Sequence, residues 1–310
     1  MVAATAPGKV ILVGEHAVVY DRPAIAVPVW NRVARATIEP LPRGSGCWIV
    51  ARDLNMRVRL ADAPPENALA LVARATLAQL GLPPDPDWQI EVTSEIPVAS
   101  GLGSGAALNA ALVRAIHAQM GVTPDPAQVS NLVYLGEQIY HGTPSGIDNT
   151  VVAYGQPVWY IKGNPPEVFA PAKPFMLVIA DSGVASPTLE TVAGVRRRRA
   201  EDTATYEGWF DAIGALVYEA RAAIERGDSK ALGAIFNRNH ALLQQIGVST
   251  PLLDQLVDAA RSAGALGAKL SGGGGGGNMI AWVEDATASQ VAAALEAAGA
   301  VRFMITTVGA

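Results

Sequence analysis

A glycine- and serine-rich segment at residues 94–109 is the stretch of this sequence best suited to binding an anion. It has the sequence SEIPVASGLGSGAALN, follows a strand-like run at 88–93, and leads into an alanine-rich stretch. A glycine-rich turn that opens a helix leaves several backbone N–H groups without helical partners, and the helix dipole adds partial positive charge there. Phosphate is the usual ligand of such a turn. Two interpretations stay open at this point: a phosphate site, or a tight turn that binds nothing.

The spacing of the glycines excludes two common nucleotide-binding motifs. No Lys-Ser or Lys-Thr pair follows the last glycine, as a P-loop would require. The segment also does not open a first βαβ unit, where the dinucleotide-binding fingerprint occurs. Other residues must therefore decide what the segment does.

Charged residues flank the first strand-like run. Lys9 begins the apolar run KVILV, and Glu15 and His16 follow its far end. Taken singly, Lys9 is explained as a charge at a strand edge and His16 as a turn or core histidine. Catalytic or binding roles for them need support from elsewhere in the chain.

Two carboxylates are placed where they could hold a divalent cation. Glu137 lies in the last turn of a predicted helix, and Asp148 follows it after a Ser-Gly turn. Mg²⁺ is commonly bound by one or two carboxylates together with phosphate oxygens and water. Each residue alone could equally be a solvated acid at a helix end or in a turn.

A run of six glycines, Gly272–Gly277, lies between two apolar, strand-like segments. Such a run is costly in conformational entropy, and a simple hairpin does not need it. A backbone that must pass very close to another group does need it. The run therefore predicts a close approach.

Composition narrows the class of protein. Half of the 310 residues are hydrophobic, 16% are charged, and the formal net charge is −5. The apolar runs are too short to span a membrane, and the opening residues do not resemble a signal peptide. The single cysteine, Cys47, excludes an internal disulfide, and the negative charge argues against a nucleic-acid partner. The basic run Arg196–Arg199 is interpreted as a solvated helix face, with anion binding as the alternative. A cytoplasmic location is expected.

The predicted elements of the first half mix strands and helices. Glu66–Leu80 has helical spacing and ends at a Gly before a Pro, and Pro126–Tyr140 begins with Pro at a helix start. The other predictions are strands at 9–13, 24–29, 35–38, 47–51, 88–93 and 151–161, and a helix at 106–120.

A proline-rich segment, Lys162–Pro174, marks a predicted domain boundary, with domains at 1–168 and 169–310. The second part has a strand at 175–181, helical patterns from 188 to 263 with breaks near Gly227 and 247–251, strands at 268–271 and 279–283, a helix at 286–298 and a final strand at 302–307. Local hairpins without strict βαβ alternation indicate an α+β protein in two lobes.

Together these features resemble the three signatures of the GHMP kinase superfamily, named for galactokinase, homoserine kinase, mevalonate kinase and phosphomevalonate kinase. The resemblance covers nearly the whole chain, in the same order. Within the superfamily the segments are most similar to the mevalonate kinase family, on the sequences PGKVILVGEHAVVYDRPAIA, HGTPSGIDNTV, NHALLQQIGVSTPLLDQLVDAA and GAKLSGGGGGGN.

The resemblance implies a two-lobed GHMP kinase fold. Its N-terminal lobe would be like domain 2 of ribosomal protein S5, and its C-terminal lobe would be ferredoxin-like. It also implies transfer of the γ-phosphoryl group of ATP, with Mg²⁺, to the C5 hydroxyl of mevalonate in isoprenoid biosynthesis. The partner would be this small molecule, without nucleic acid or membrane, and a homodimer is typical of the family.

The resemblance also implies roles for individual residues. Asp148 would deprotonate the hydroxyl, and Lys9 would keep Asp148 ionised, which is the positioning and electrostatic logic of phosphoryl transfer. The residues implied to bind the triphosphate are Pro97, Ser100, Gly101, Leu102, Gly103, Ser104, Gly105 and Ala106. Those implied to bind metal are Glu137 and Ser104, those facing the substrate are Glu15, His16, Ser186 and Thr188, and the structural glycine loop contains Gly272, Gly273, Gly274 and Gly275.

The phosphate loop departs from the family pattern P-x-G-A-G-L-G-S-S-A at two positions. The first glycine is replaced by Ala99, and Gly105 stands where a serine usually supplies a hydroxyl to Mg²⁺. We expect Ser104 or a water to replace that ligand. Two alternatives to the leading interpretation stay open: a related kinase of the superfamily acting on phosphomevalonate, the mevalonate 3-position or a sugar, and a non-catalytic ligand sensor on the same fold.

Overall fold

The computed structural model describes residues 1–97, 101–142, 144–186 and 188–309, without the side chain of His141. The chain divides into two compact units. The first consists of Met1–Lys9, Val29–Val98 and Gly103–Gly155, and the second of Val10–Pro28, Ala99–Leu102 and Gln156–Ala310. Two long strands, β1 (Val2–Val13) and β2 (Ala24–Pro40), have residues in both units and pair with each other.

The sheet of the first unit has the strand order β4-β3-β5-β2. Its further strands are β3 (Trp48–Ala51), β4 (Met56–Arg59) and β5 (Trp88–Ser94). Strands β3 and β5 are parallel, and β5 is antiparallel to the second half of β2. Ile90 and Val92 alternate with more exposed residues along β5, so one face of this strand contributes to the core.

Helices α1 (Ala68–Gln79), α2 (Ser104–Gln119), α3 (Pro126–His141) and α4 (Ile147–Tyr154) pack together in the first unit. Local signals fix their starts. The side chain of Asn67 caps α1, and Asp125 caps α3 directly before Pro126. The predicted helices at 66–80, 106–120 and 126–140 are therefore confirmed, with α2 beginning two residues earlier.

The prediction of strands from 151 to 161 was wrong in its first part. Residues 147–154 form helix α4, and the strand β6 covers only Val158–Tyr160. The β-branched pair Val151 and Val152 favoured a strand, but both side chains are buried in a helix that packs on α2 and α3. Tertiary packing overrides local propensity here.

The second unit contains an antiparallel sheet with the order β11-β8-β10-β9. Its strands are β8 (Phe175–Asp181), β9 (Gly267–Ser271), β10 (Asn278–Val283) and β11 (Arg302–Val308). In the same unit β6 pairs with the first residues of β2, and the short β7 (Glu167–Val168) pairs with β6.

The helices of the second unit are α5 (Thr188–Glu201), α6 (Thr203–Arg226), α7 (Ser229–Ile246), α8 (Pro251–Ser262) and α9 (Asp285–Ala297). The predicted breaks near 227 and 247–251 are confirmed, because Gly227 and Gly247 end helices in the left-handed conformation. A further break occurs at Asp202, whose side chain caps α6. Within the described part of the chain, no helix combines the length and the apolar character needed to cross a membrane.

Candidate active site

The start of α2 packs against the side chain of Lys9. Gly103 precedes the helix with φ of 73°, a left-handed conformation that favours glycine. A Cβ atom at this position would lie 2.9 Å from Cγ of Lys9, so the glycine also makes room for the lysine. Leu102 and Ala106 are buried beside this turn, and Ser100 lies outside the described residues. The first N–H groups of α2 lie in the segment predicted to bind an anion, and that role stays a prediction.

Lys9 and Asp148 form an ion pair in the first unit. The Nζ of Lys9 lies 3.0 Å from Oδ1 of Asp148, and their side chains are 4% and 27% exposed. Asp148 is in the first turn of α4. This helix begins directly after Gly146, which has φ of 94°. Helix N-termini favour negative charge, so the helix start and the lysine both attract this carboxylate.

Glu137 is a buried carboxylate near the end of α3. Burial raises its pKa to about 8, the charge of Asp148 adds to this effect, and the ammonium of Lys9 opposes it. The two carboxylates therefore repel each other. A bound cation would relieve that repulsion.

The structure shows what occupies the space beside Gly105. A Cβ atom at this position would lie 3.2 Å from Cε2 and 3.4 Å from Cδ2 of Tyr140, and 3.7 Å from Oε1 of Glu137. Burial raises the pKa of Tyr140, and the negative charge of Glu137 also contributes. A side chain at position 105, where the family pattern has a serine, would therefore make a tight contact with the Tyr140 ring.

The hydroxyl of Ser104 is directed toward strand β5 and the residues after it. Its Oγ lies 3.3 Å from Oγ of Ser94 and 3.4 Å from the carbonyl oxygen of Ile96, to which it can donate. These bonds do not favour the hydroxyl as a metal ligand. The role of Ser104 at the metal stays a prediction.

In the second unit, Glu15 is completely buried and both of its carboxylate oxygens are bonded. Oε1 pairs with the Nζ of Lys269, and Oε2 accepts a hydrogen bond of 3.1 Å from the side-chain amide of Asn239. Lys269 is also completely buried and donates to the carbonyl of Leu270 at 2.6 Å. Burial lowers the pKa of Lys269, although the charge of Glu15 opposes the shift. This placement favours an indirect role for Glu15 over contact with a substrate.

His16 has a backbone conformation that is rare outside glycine, with φ of 60° and ψ of −45°. Its Nε2 donates to the carbonyl of Gly273 at 3.0 Å. Burial lowers its pKa to about 4, so the imidazole is neutral near pH 7. Sparsely populated backbone conformations persist where the surroundings hold them, and they cluster at functional sites.

The run Gly272–Gly277 makes the close approaches that its composition predicted. A Cβ at Gly274 would lie 2.2 Å from the carbonyl oxygen of Val248, and the φ values of both Gly272 and Gly274 are positive. Ser186 donates to the carbonyl of Gly274 at 3.0 Å, and a Cβ at Gly273 would lie 3.0 Å from Oγ1 of Thr188.

Each unit gathers its own group of predicted residues. The first brings Lys9, Glu137 and Asp148 to the start of α2, and the second brings His16, Ser186 and Thr188 to the glycine run. Sequence reasoning assigned no role to Tyr140, Lys269 and Asn239. A lysine inside the apolar strand β9 signals a buried partner, and Gly105 signals a neighbour that fills its space.

The donors in the first unit fit the magnesium ion that the resemblance implies. Among the described residues, no cluster of three or more His, Cys, Asp or Glu side chains could hold a metal. The site instead offers the carboxylates of Glu137 and Asp148 near the start of a helix. Mg²⁺ retains waters and binds phosphate oxygens in such sites, so a small protein donor set suits it.

Comparison with known families identifies the chain. The model of the GHMP kinases N terminal domain matches residues 67–156, and that of the GHMP kinases C terminal region matches residues 220–301. The chain belongs to the GHMP kinase family. Relatives of this GHMP kinase include the mevalonate kinase of Thermococcus sibiricus, 35% identical over 314 residues that cover 96% of this chain and 93% of the relative. The mevalonate kinase of Pyrococcus horikoshii is also 35% identical and covers 97% of this chain and 93% of its own length.

Solved structures resemble this GHMP kinase over nearly its full length. The L. major mevalonate kinase in complex with R-mevalonate is 28% identical, with a TM-score of 0.84 over 99% of this chain and 96% of that chain. The Methanococcus jannaschii mevalonate kinase is 25% identical, with a TM-score of 0.84 over 98% of this chain and 96% of that chain. The predicted family and the α+β GHMP kinase fold are confirmed.

Proposed function

We propose that this GHMP kinase transfers the γ-phosphoryl group of ATP to the C5 hydroxyl of mevalonate. The observation that carries the proposal is the Lys9–Asp148 ion pair. It lies in the same unit as the start of α2, where the stem of Lys9 packs against Gly103. Mevalonate as the substrate is supported by relatives that bear the name mevalonate kinase and by a neighbour solved with R-mevalonate.

Binding of the phosphates is assigned to the segment 97–106. The first turn of α2 supplies N–H groups that its own carbonyls cannot pair, and the helix dipole favours negative charge there. Lys9, whose stem packs against Gly103, adds a buried ammonium close to this turn. These groups hold the transferred phosphoryl group and stabilise the charge on its oxygens.

Asp148 acts as the general base in this proposal. As the hydroxyl oxygen forms a bond to the γ-phosphorus, the hydroxyl proton moves to the carboxylate of Asp148. The bond between the γ-phosphorus and the bridging oxygen breaks, and ADP leaves with the electron pair. Lys9 keeps Asp148 ionised before the transfer and offsets the negative charge that develops on the substrate oxygen.

Glu137 would hold Mg²⁺, with the remaining positions taken by phosphate oxygens and water. When bound, the ion neutralises charge on the phosphates. The chain contributes a carboxylate that is already dehydrated by burial and repelled by Asp148, and both conditions favour a cation as its partner.

Binding of the substrate is assigned to His16, Ser186 and Thr188. These polar residues surround the glycine run, and since Nε2 of the neutral His16 imidazole donates to Gly273, its Nδ1 can accept a hydrogen bond. Glu15 is assigned a positioning role, because the buried bonds of its carboxylate to Lys269 and Asn239 fix the turn that carries His16.

Release of ADP measured with a panel of acceptors tests the proposal. Mevalonate, phosphomevalonate, galactose and homoserine are compared at equal concentration, with ³¹P NMR to identify the product. We expect the highest kcat/KM with mevalonate and a phosphomonoester at C5. A higher kcat/KM for another acceptor assigns a different kinase of the family, and MgATP binding without turnover of any acceptor supports a ligand sensor.

We also propose a cytoplasmic location and a homodimer, both from the family resemblance. Fractionation of cells and sedimentation equilibrium of the purified chain test these two assignments directly. A monomer over the working concentration range would contradict the second.

A further inference from the structure

Gly105 needs an explanation that its backbone does not supply. It lies in the first turn of α2 and is absent from the glycines with positive φ. A helical glycine is less favourable than alanine by about 1 kcal/mol in a helix interior. A left-handed backbone is therefore not what favours glycine at this position, and the space beside the residue bears on whether a larger side chain fits.

The neighbour is the ring of Tyr140 at the end of α3. A Cβ at position 105 would lie 3.2 Å from Cε2 of the ring, which is tighter than ordinary van der Waals contact, and 3.4 Å from Cδ2, at the limit of ordinary contact. Gly208 in α6 provides the contrast, because a Cβ there would meet nothing within 4 Å. A side chain at residue 105 would therefore press against the Tyr140 ring, whereas one at residue 208 would not.

A Cβ atom at position 105 would also lie 3.7 Å from Oε1 of the Glu137 carboxylate. The ring, the carboxylate and the first turn of α2 therefore share one small volume. Glu137 is buried, whereas Tyr140, whose ring lies beside the same point, is 43% exposed.

We propose that Tyr140 is a positioning residue of the phosphate and metal site. Its ring packs closely beside position 105, shields the Glu137 carboxylate from water, and leaves the first turn of α2 open to phosphate. Residues 105 and 140 consequently act as a pair: a larger residue 105 is tolerated only when residue 140 is smaller. The inference rests on the proposed function of this site.

A double-mutant cycle tests the pairing. Wild type, Gly105→Ser, Tyr140→Ala and the double variant are compared by calorimetric binding of ADP with and without Mg²⁺, and by thermal unfolding. In the wild-type background, the Gly105→Ser side chain presses on the ring and must shift it by a few tenths of an ångström, so we expect weaker MgADP binding. In the Tyr140→Ala background the same substitution meets no ring, and we expect no loss. Contacting residues are typically non-additive, so the two effects should differ by at least about fivefold.

Three further variants serve as controls. Gly208→Ser places the same substitution on an exposed helix position with open space and should leave MgADP binding unchanged. Tyr140→Phe keeps the ring, so it should preserve the penalty of Gly105→Ser. Gly105→Ala carries the smaller side chain and replaces Gly105→Ser in the cycle if the serine variant does not fold.

Equal effects of the position-105 substitution in both backgrounds would overturn the inference. Unchanged MgADP affinity and unchanged thermal stability in Tyr140→Ala would also overturn it. If wild type itself failed to bind MgADP, the proposed function would fail; normal binding in wild type without any coupling leaves the kinase assignment intact and rejects only the role of Tyr140.

Discussion

Lys9 forms an ion pair with Asp148 and also packs against the start of α2. The two charges are 3.0 Å apart, and the aliphatic stem of Lys9 fills the space that a side chain at Gly103 would need. One buried lysine therefore contacts both the proposed base and the proposed phosphate loop. A displacement of Lys9 would disturb both.

Replacement of Asp148 by Asn should lower kcat by about 10²–10⁴, the usual contribution of a positioned base. The amide cannot accept the proton, whereas the affinity for ADP should stay near that of wild type. Steady-state kinetics and calorimetry measure the two quantities. Asp285→Asn changes an exposed acid in the first turn of α9 and serves as the control. A kcat of Asp148→Asn within threefold of wild type would remove this residue from the role of base.

Lys9→Met should lower kcat while largely preserving the fold. Methionine retains an apolar stem under Gly103 but lacks the charge that pairs with Asp148. Lys9→Arg should not restore full activity, because a planar guanidinium does not reproduce a compact ammonium. Both variants are compared by kcat and by thermal unfolding. Wild-type activity of Lys9→Arg would show that the lysine acts only structurally.

Glu137→Gln should raise the Mg²⁺ concentration needed for half-maximal rate more than it raises the KM for mevalonate. The amide keeps the shape of the side chain but loses the charge that attracts the cation. Titrations of Mg²⁺ at fixed ATP, and of mevalonate at saturating Mg²⁺, separate the two effects. A rise confined to the mevalonate KM would place Glu137 at the substrate and not at the metal.

Lys269→Met should destabilise the protein by about 3–5 kcal/mol, because removal of one partner of a buried ion pair leaves the other charge uncompensated. The Lys269→Met/Glu15→Gln double variant should recover part of this loss, since the buried negative charge is then gone. Urea unfolding measures both free energies. Lys230→Met, at a position near the exposed start of α7, is the matched control. Equal stability of the single and double variants would contradict the pairing.

Acidification below about pH 6.5 should destabilise the fold through His240. Its Nε2 donates to Oδ1 of Asp254 at 3.0 Å, its Nδ1 accepts from the N–H of Leu270, and burial lowers its pKa to about 4. Between pH 6.5 and pH 4 the unfolded chain binds this proton and the folded protein does not, so the stability present above pH 6.5 falls as the pH drops.

The measurement is thermal unfolding of wild type and His240→Asn between pH 8 and pH 4.5. The variant is expected to be less stable at pH 8 but to lose less stability on acidification, because it lacks one of the titrating groups. His16, with a pKa also lowered to about 4, accounts for part of the dependence that remains. Identical pH profiles of the two proteins would contradict the assignment to His240.

The local signals of the sequence were sufficient for most helices. Asp125 before Pro126, Thr250 before Pro251, and the glycines at 227 and 247 set helix ends through contacts within a few residues. Such interactions join residues that are close in the sequence, so the sequence alone is enough to predict them. The order of the motifs likewise led to the family, which the comparisons confirmed.

Helix α4 shows where local signals were insufficient. Val151 and Val152 have β-branched side chains, which favour a strand, but they are buried in a helix that packs on α2 and α3. The free energy gained by burying these side chains outweighs a preference of a few tenths of a kcal/mol per residue. Packing partners distant in the chain decided this element.

The sequence alone determined which residues carry charge and where glycine permits close approach. Only the tertiary structure decided their partners: Glu15 pairs with Lys269, which is 254 residues away, and a side chain at Gly105 would press against Tyr140 from another helix. Both relationships depend on desolvation and excluded volume, which arise when distant segments are packed together. A buried charge needs a partner and an aromatic ring needs space, and the packing of the folded chain supplies both.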